Sequence, residues 1–189
     1  MTTPDYWQQA KQYLADKDPT LARVIKDYPD EVLTSIDNPF QTLIRAVVGQ
    51  QISVQSADAV WLRLTKKLAK INPESFLSLT PEQLKECGLS RQKIAYMTNI
   101  AHAFANGDLT PQLWETMDDR DILKQLIKIK GVGPWTAQMF LIFHLNRSDI
   151  FPIADIGLLN AVKKLYGDTT KEQILHRSQM WQPYRTVAS

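Results

Sequence analysis

An all-α fold, built as two helical lobes with about eight to ten helices, is what this sequence predicts. Three observations carry that expectation. Apolar residues recur at i, i+3, i+4 and i+7 through most of the chain, the spacing of one helix face. Capping and breaking residues stand where those stretches begin and end. No segment shows convincing period-two alternation, so a large sheet is not expected.

The first strong stretch runs from Pro39 to Gln51, with Phe40, Leu43, Ile44, Val47 and Val48 on one face. A second runs from Ser53 to Ile71 and carries Val54, Ala57, Val60, Trp61, Leu64 and Leu68, with Lys66, Lys67 and Lys70 turned to water. Trp61 reads as core. The third, Ser90 to Ala105, is marked by Ile94, Met97, Ile100, Ala101 and Phe104. Further helices are expected over residues 118–128, 134–145, 155–166 and 170–181. Ser53, Thr80-Pro81, Ser90 and Thr110-Pro111 fit helix starts, two of them with proline at the first helical position. Gly49, Gly88, Gly107 and Gly167 fit helix ends. Short helices between residues 73 and 116 are expected in one lobe, and the first ~50 residues with the C-terminal half in the other. The chain is taken as a single domain over residues 1–189.

Composition narrows the function classes. At 189 residues with 44% apolar and 22% charged residues, the chain is of ordinary globular make-up. Its apolar runs, such as Met139 to Phe143, fall far short of the ~20 residues of a membrane span. The N-terminus has no basic stretch followed by an apolar one, so it does not read as a secretory signal. The lone Cys87 cannot form an internal disulfide or ligate an iron–sulfur cluster, which takes about four cysteines. Nothing argues against a reducing, cytoplasmic setting. His102, His144 and His176 are not at metal-ligand spacing, and neither a serine nucleophile elbow nor a Walker pattern is present. Charge is unevenly spread: residues 1–119 carry 12 Lys/Arg against 15 Asp/Glu, and residues 120–189 carry 10 against 5. The basic half points mildly toward an anionic partner.

The most informative stretch is Leu126-Ile127-Lys128-Ile129-Lys130-Gly131-Val132-Gly133-Pro134-Trp135-Thr136-Ala137. It sets Gly-Val-Gly between two amphipathic helices, with proline opening the second. Glycine permits positive φ and close approach of another molecule to the backbone. The second helix then presents unpaired amides and the positive end of its dipole. Such an arrangement suits a phosphate, with Lys128 and Lys130 adding charge. A bare Gly-x-Gly is equally an ordinary tight turn. The full stretch, however, closely resembles the helix-hairpin-helix DNA-binding motif. The resemblance implies that hairpin amides around Gly131 and Gly133 hold a DNA phosphate, with Thr136 as a candidate for a further hydroxyl or amide contact to it. It also implies that the carbonyls of Ile127, Ile129 and Val132 are the donors for a monovalent cation, Na⁺ or K⁺, with no other cofactor required.

The likeness extends well beyond the hairpin. Asp149-Ile150-Phe151-Pro152-Ile153-Ala154-Asp155-Ile156-Gly157-Leu158 follows it, Gly49-Gln50-Gln51-Ile52-Ser53 and Gly88-Leu89-Ser90-Arg91-Gln92-Lys93 precede it, and Trp181-Gln182-Pro183-Tyr184-Arg185 stands near the end. Together these blocks resemble the helix-hairpin-helix DNA glycosylase superfamily, in its 3-methyladenine (alkylpurine) branch and in a compact form without the N-terminal β-domain. Strand-cutting members resemble Gly-Val-Gly-x-Lys-Thr-Ala. Trp135 stands where their lysine would form a Schiff base, which implies a monofunctional enzyme that leaves the abasic strand uncut. Met139 stands where some relatives carry a pocket tyrosine, and the chain stops at Ser189 where relatives usually continue the last helix.

The resemblance implies roles for individual residues. Asp155 is the catalytic candidate: a carboxylate beneath the sugar stabilises the oxocarbenium-like state and can orient or deprotonate water. By position alone it could equally cap the helix that follows. Trp135, Trp181, Phe143, His144 and Met139 are the candidate base pocket. An indole face favours a cationic purine over a neutral one, although large aromatics more often pack cores. Gln51 is the candidate wedge filling the space of a flipped nucleotide, with Gln50 and Ser53 as weaker contacts nearby. The implied partner is double-stranded DNA carrying an alkylated base (3-methyladenine, 7-methylguanine or ethenoadenine). The abasic product passes to downstream abasic-site processing enzymes. A monomer suffices, no membrane is involved, and the setting is the nucleoid of a prokaryote or the nucleus of a eukaryote. Two alternatives stay open: a lesion-binding protein with weak or no catalysis, and a glycosylase for another damaged or mismatched base.

Overall fold

The computed structural model describes residues 3–167 and 170–189. Among them lie twelve α-helices, two short 3-10 turns and no strand. The expected all-α class is what is found, with more and shorter helices. The chain divides into two compact units. One joins residues 1–35 to 141–189, and the other is continuous over residues 36–140. The boundary differs from the expected one: the continuous unit takes in the apolar helix after Pro39 and the hairpin, as well as the short helices. Burial explains it, since Phe40, Leu43, Ile44, Val47 and Val48 are all at most 2% exposed and form that unit's centre.

The continuous unit holds α3 (Pro39–Gly49), α4 (Val54–Lys67), α5 (Pro73–Leu77), α6 (Pro81–Glu86), α7 (Arg91–Ala105), α8 (Asp119–Ile127) and the start of α9 (Pro134–Phe143). Its helices begin where the side-chain chemistry says they should. Asn38, Ser53, Asn72, Thr80 and Ser90 each accept a backbone amide from the first turn, a cap worth about 1 kcal/mol. Thr80 and Gln83 complete a reciprocal capping box. Thr110-Pro111 opens only a 3-10 turn, Pro111–Leu113, without a side-chain cap. The core is stapled by aromatic edges: Phe40 meets Phe76 and Phe104, and Trp114 meets Phe104 and, at 4.9 Å, Phe140. Trp61 lies outside this core. It is half-buried on α4, with the Arg45 guanidinium 5.5 Å above its ring.

The second unit holds α1 (Trp7–Lys17), α2 (Pro19–Asp27), α10 (Ile156–Tyr166), α11 (Lys171–Ser178), the 3-10 turn Gln179–Trp181 and α12 (Arg185–Ala188). Its core is Leu14, Leu21, Phe151, Leu158, Val162, Ile174 and Trp181. Within it lies a carboxylate that sequence reasoning missed. Asp18 is 2% exposed and caps α2 by accepting the Thr20 and Leu21 amides through Oδ1. Its Oδ2 accepts from the Tyr166 hydroxyl at 2.7 Å and the Trp181 indole at 2.9 Å. Burial raises its pKa, but the four donors outweigh burial and hold Asp18 below the ordinary value.

Of the glycines read as helix ends, Gly88, Gly107 and Gly167 do adopt positive φ. Gly49 does not. It is the last residue of α3, and the left-handed residue there is Gln51, with φ 57°.

Candidate functional site

The hairpin forms as expected between α8 and α9. Short-range bonds close the turn: the Ile129 amide donates to the Leu126 carbonyl at 3.1 Å and the Val132 amide to the Ile129 carbonyl at 3.0 Å. Its two glycines are there for different reasons. Gly131 has φ 107°, and a Cβ on it would lie 2.2 Å from the Tyr96 ring, so the protein itself demands glycine. Gly133 has no positive φ, and a Cβ there would meet nothing within 4 Å. Nothing inside the chain requires a glycine at 133, which suits a backbone that must let an outside molecule come close. Lys128 and Lys130 are both exposed. Hairpin amides, a helix N-terminus and two free-standing ammonium groups make an anion-binding edge.

Neutral carbonyl oxygens are the donor type that a monovalent cation accepts. The Ile129 carbonyl has already taken the Val132 amide and keeps its second lone pair. The Ile127 carbonyl ends α8, where helical partners run out. The donor set fits such an ion.

Three assigned contacts move to structural roles. The Thr136 side chain is 2% exposed, and its Oγ1 accepts from Gln50 Nε2 at 2.9 Å. Its hydroxyl is therefore turned inward, not toward a phosphate. Gln50 also reaches the Gly131 carbonyl at 3.4 Å, so it is a tether to the hairpin rather than part of a wedge. Ser53 is the N-cap of α4, its Oγ accepting the Ser56 amide at 3.2 Å. Gln51 remains as the wedge candidate. It is exposed, and its left-handed backbone is uncommon for a residue with a Cβ, the kind of local strain that gathers at functional positions. Lys93 on α7 was missed. Its ammonium donates to the Val48 carbonyl at 2.6 Å, at the end of α3, and burial lowers its pKa. A lysine in an amphipathic helix gives no sequence signal for that role.

Along α9, Trp135, Met139 and Phe143 recur every fourth residue and share one face. Trp135 and Met139 are half-buried and Phe143 is 40% exposed, while Ala137, Phe140 and Leu141 are fully buried. Trp135 and Met139 fall in the continuous unit; Phe143 and the half-buried His144 fall in the other. Asn146, with φ 51°, ends this stretch. The Arg147 amide reaches back six residues to the Leu141 carbonyl at 2.9 Å, which closes the end of the helix.

Asp155 stands at the N-terminus of α10. Its Oδ1 accepts the Leu158 amide at 2.9 Å, its own amide donates to Pro152, and its carbonyl accepts from Leu159. The cap reading and the catalytic reading are thus compatible, because the cap orients a carboxylate that is only half-buried. The neighbours on either side are open, Ala154 exposed and Ile156 73% exposed. The positive end of the α10 dipole lies beside the carboxylate. Gly157 keeps room beside it, since a Cβ there would come to 3.1 Å from Asp155 Oδ1.

The segment before Asp155 is clamped by the chain's last residues. Arg185 grips the Asp149 carboxylate at 2.7 and 2.9 Å. Thr186 donates its hydroxyl to the Arg147 carbonyl and accepts the Ile150 amide. This gives the Trp181–Arg185 block its role and corrects the reading of Trp181. That indole is 0% exposed, packed against Phe151 and Tyr166, with its N–H taken by Asp18. A fully enclosed ring has no face for a flipped base; it is core.

Comparison with known proteins agrees with these features. Residues 44–185 match the model of the HhH-GPD superfamily base excision DNA repair protein. The DNA-3-methyladenine glycosylase 1 of Schizosaccharomyces pombe is 31% identical over 177 residues, covering 89% of this chain and 77% of the relative. The DNA-3-methyladenine glycosylase of Saccharomyces cerevisiae is 26% identical, over 94% of this chain and 71% of its own length. Among solved structures, the S. pombe 3-methyladenine DNA glycosylase in complex with abasic DNA superposes with a TM-score of 0.85 at 30% identity, covering 95% of this chain and 92% of that one.

Proposed function

The chain belongs to the HhH-GPD superfamily of base excision DNA repair proteins, and from that membership we propose that it is a monofunctional DNA glycosylase acting on alkylated purines, 3-methyladenine foremost. The observation that carries this reading is Asp155. It is a half-buried carboxylate held at a helix N-terminus by one oxygen, in a chain that also presents a phosphate-binding hairpin.

The hairpin amides, with Lys128 and Lys130, hold the backbone of duplex DNA and carry no sequence information. Gln51 fills the gap left when the damaged nucleotide leaves the stack. The faces of Trp135, Met139 and Phe143 favour an electron-poor base, because an indole attracts a cation. The C1′–N bond then breaks, and its electron pair goes to the alkylated purine, which departs neutral. The Asp155 carboxylate stabilises the positive sugar. Water adds at C1′ and gives its proton to Asp155 or to solvent. Trp135 offers no amine for a Schiff base, so the strand stays intact and the abasic site is handed to enzymes that process it. The Ile127, Ile129 and Val132 carbonyls would hold a Na⁺ or K⁺ ion, which would add positive charge to the hairpin. Exchanging K⁺ for tetramethylammonium at equal ionic strength should then weaken duplex binding. No helix among the described residues is long and apolar enough to cross a membrane, and the enzyme works as a monomer wherever the cell keeps its DNA.

The test uses methylated duplex DNA with the protein and its Asp155→Asn variant. Released methylpurine, strand breaks only after alkali, and no release by the variant are expected. Tight binding without base release would replace this reading with that of a lesion-binding protein.

A further inference from the structure

The loop between α3 and α4 carries Gln51, and it is fastened at two points. On the helix side, Lys93 Nζ sits 2.6 Å from the Val48 carbonyl, one of the last carbonyls of α3, which lack a helical partner. On the hairpin side, Gln50 Nε2 lies 2.9 Å from Thr136 Oγ1 and 3.4 Å from the Gly131 carbonyl. Thr136 is buried, and Gly131 is pinned by its own backbone and by Tyr96, so both anchors are rigid. Between the two fastenings the backbone turns through the left-handed conformation at Gln51. Such a conformation is unfavourable for a residue with a Cβ and persists only where its surroundings over-determine it.

We propose that Gln50 is a positioning residue for base extrusion: its amide ties the wedge at Gln51 to the phosphate-binding hairpin, so that docking of a phosphate on the hairpin sets the wedge's depth in the duplex. The inference rests on the proposed glycosylase reading and adds a coupling to it. Gln50 itself touches neither base nor phosphate. One amide serves two parts of the hairpin at once, its hydroxyl-bearing helix and its turn. A loop freed from that amide keeps its helix-side anchor at Lys93, and so it remains folded while losing its register with the hairpin.

The prediction is a specific non-additivity. Single-turnover release of 3-methyladenine and the fluorescence of a 2-aminopurine placed beside the lesion are measured for Gln50→Ala, Gln51→Ala and the double variant. Affinity for undamaged duplex and the melting temperature are measured alongside. Gln50→Ala should slow release by roughly ten-fold and lose the fluorescence rise, with undamaged-duplex affinity kept within about two-fold. In the Gln51→Ala background it should add less than about two-fold, because a residue acting through the wedge has nothing left to position. Thr136→Val, which deletes the same bond from the other side, should reproduce the Gln50→Ala profile and serves if Gln50→Ala proves unstable. Thr136→Ser, which restores a hydroxyl, should recover it. Effects that multiply in the double variant overturn the tether while leaving the wedge intact. A Gln51→Ala protein that extrudes and excises as wild type does overturns both. If the wild type releases no methylpurine, the glycosylase reading fails, and the 2-aminopurine signal still decides the tether.

Discussion

Asp155 and Gly157 form the smallest unit whose chemistry can be argued through. Gly157 has an ordinary backbone and is exposed on α10. By helix propensity alone, Gly157→Ala should stabilise the protein by up to about 1 kcal/mol. The added Cβ, however, would approach Asp155 Oδ1 to 3.1 Å, and the carboxylate would have to shift by a few tenths of an ångström. Displacements of that order matter where a charge must sit under a developing cation. Gly157→Ala should therefore melt at the same temperature or higher and excise roughly ten-fold more slowly. A variant both more stable and fully active would show that the carboxylate tolerates the displacement. At this scale the sequence was readable for residues whose type is tied to chemistry. Asp155 and Gln51 were singled out by the likeness of the blocks that hold them to a known family, since position alone reads Asp155 as a helix cap. Trp181 was misjudged because aromatic rings line pockets and fill cores alike. Its partner Asp18 lies 163 positions away, and no local pattern links the two.

At the scale of elements, the hairpin separates structural from functional glycine. Gly131→Ala asks an L-residue to hold φ 107° and to overlap Tyr96. It should cost roughly 2–4 kcal/mol of stability. Gly133→Ala meets open space; its stability should change by less than about 1 kcal/mol, while affinity for every duplex, damaged or not, falls. Thermal melts of both variants, set against duplex titrations, check the pair. Loss of stability at 133 would mean the glycine serves the fold after all. Lys93 makes a third case. Replacing it with Met keeps the apolar stem but leaves the Val48 carbonyl without its ammonium partner, at about 1–3 kcal/mol. Helix starts were the most legible elements, since Ser53, Thr80 and Ser90 cap where they were expected to. Helix ends were less so. Gly49 does end α3, but the left-handed turn comes two residues later at Gln51, in a loop held by Lys93 and Gln50, neither of which announces itself locally.

The whole molecule is assembled from a continuous unit and one closed by the chain's two ends, and that topology makes the second unit sensitive to acid. Asp18 is where the N-terminal segment meets α10 and the Gln179–Trp181 turn, through bonds spanning 148 and 163 residues. The lobe division was not legible in the sequence for this reason: side-chain bonds at such separations leave no periodic trace. Asp18's folded pKa lies below the ordinary aspartate value of 3.8. Above that value Asp18 is charged whether the chain is folded or not, and its stabilisation is complete. As pH falls below it, the unfolded chain takes up the proton first. Stability then declines with pH and is exhausted once the folded carboxyl titrates as well. Asp18→Asn keeps an oxygen for Trp181 or Tyr166 but removes the titration. It should be less stable at neutral pH by about 2–4 kcal/mol, since donors chosen for a carboxylate lose a charge-assisted acceptor. It should also show a flatter fall in melting temperature between pH 5 and pH 2. Denaturant melts of both proteins across that range measure the difference. Parallel acid curves would mean that other carboxylates, not the one joining the two ends of the chain, govern unfolding at low pH.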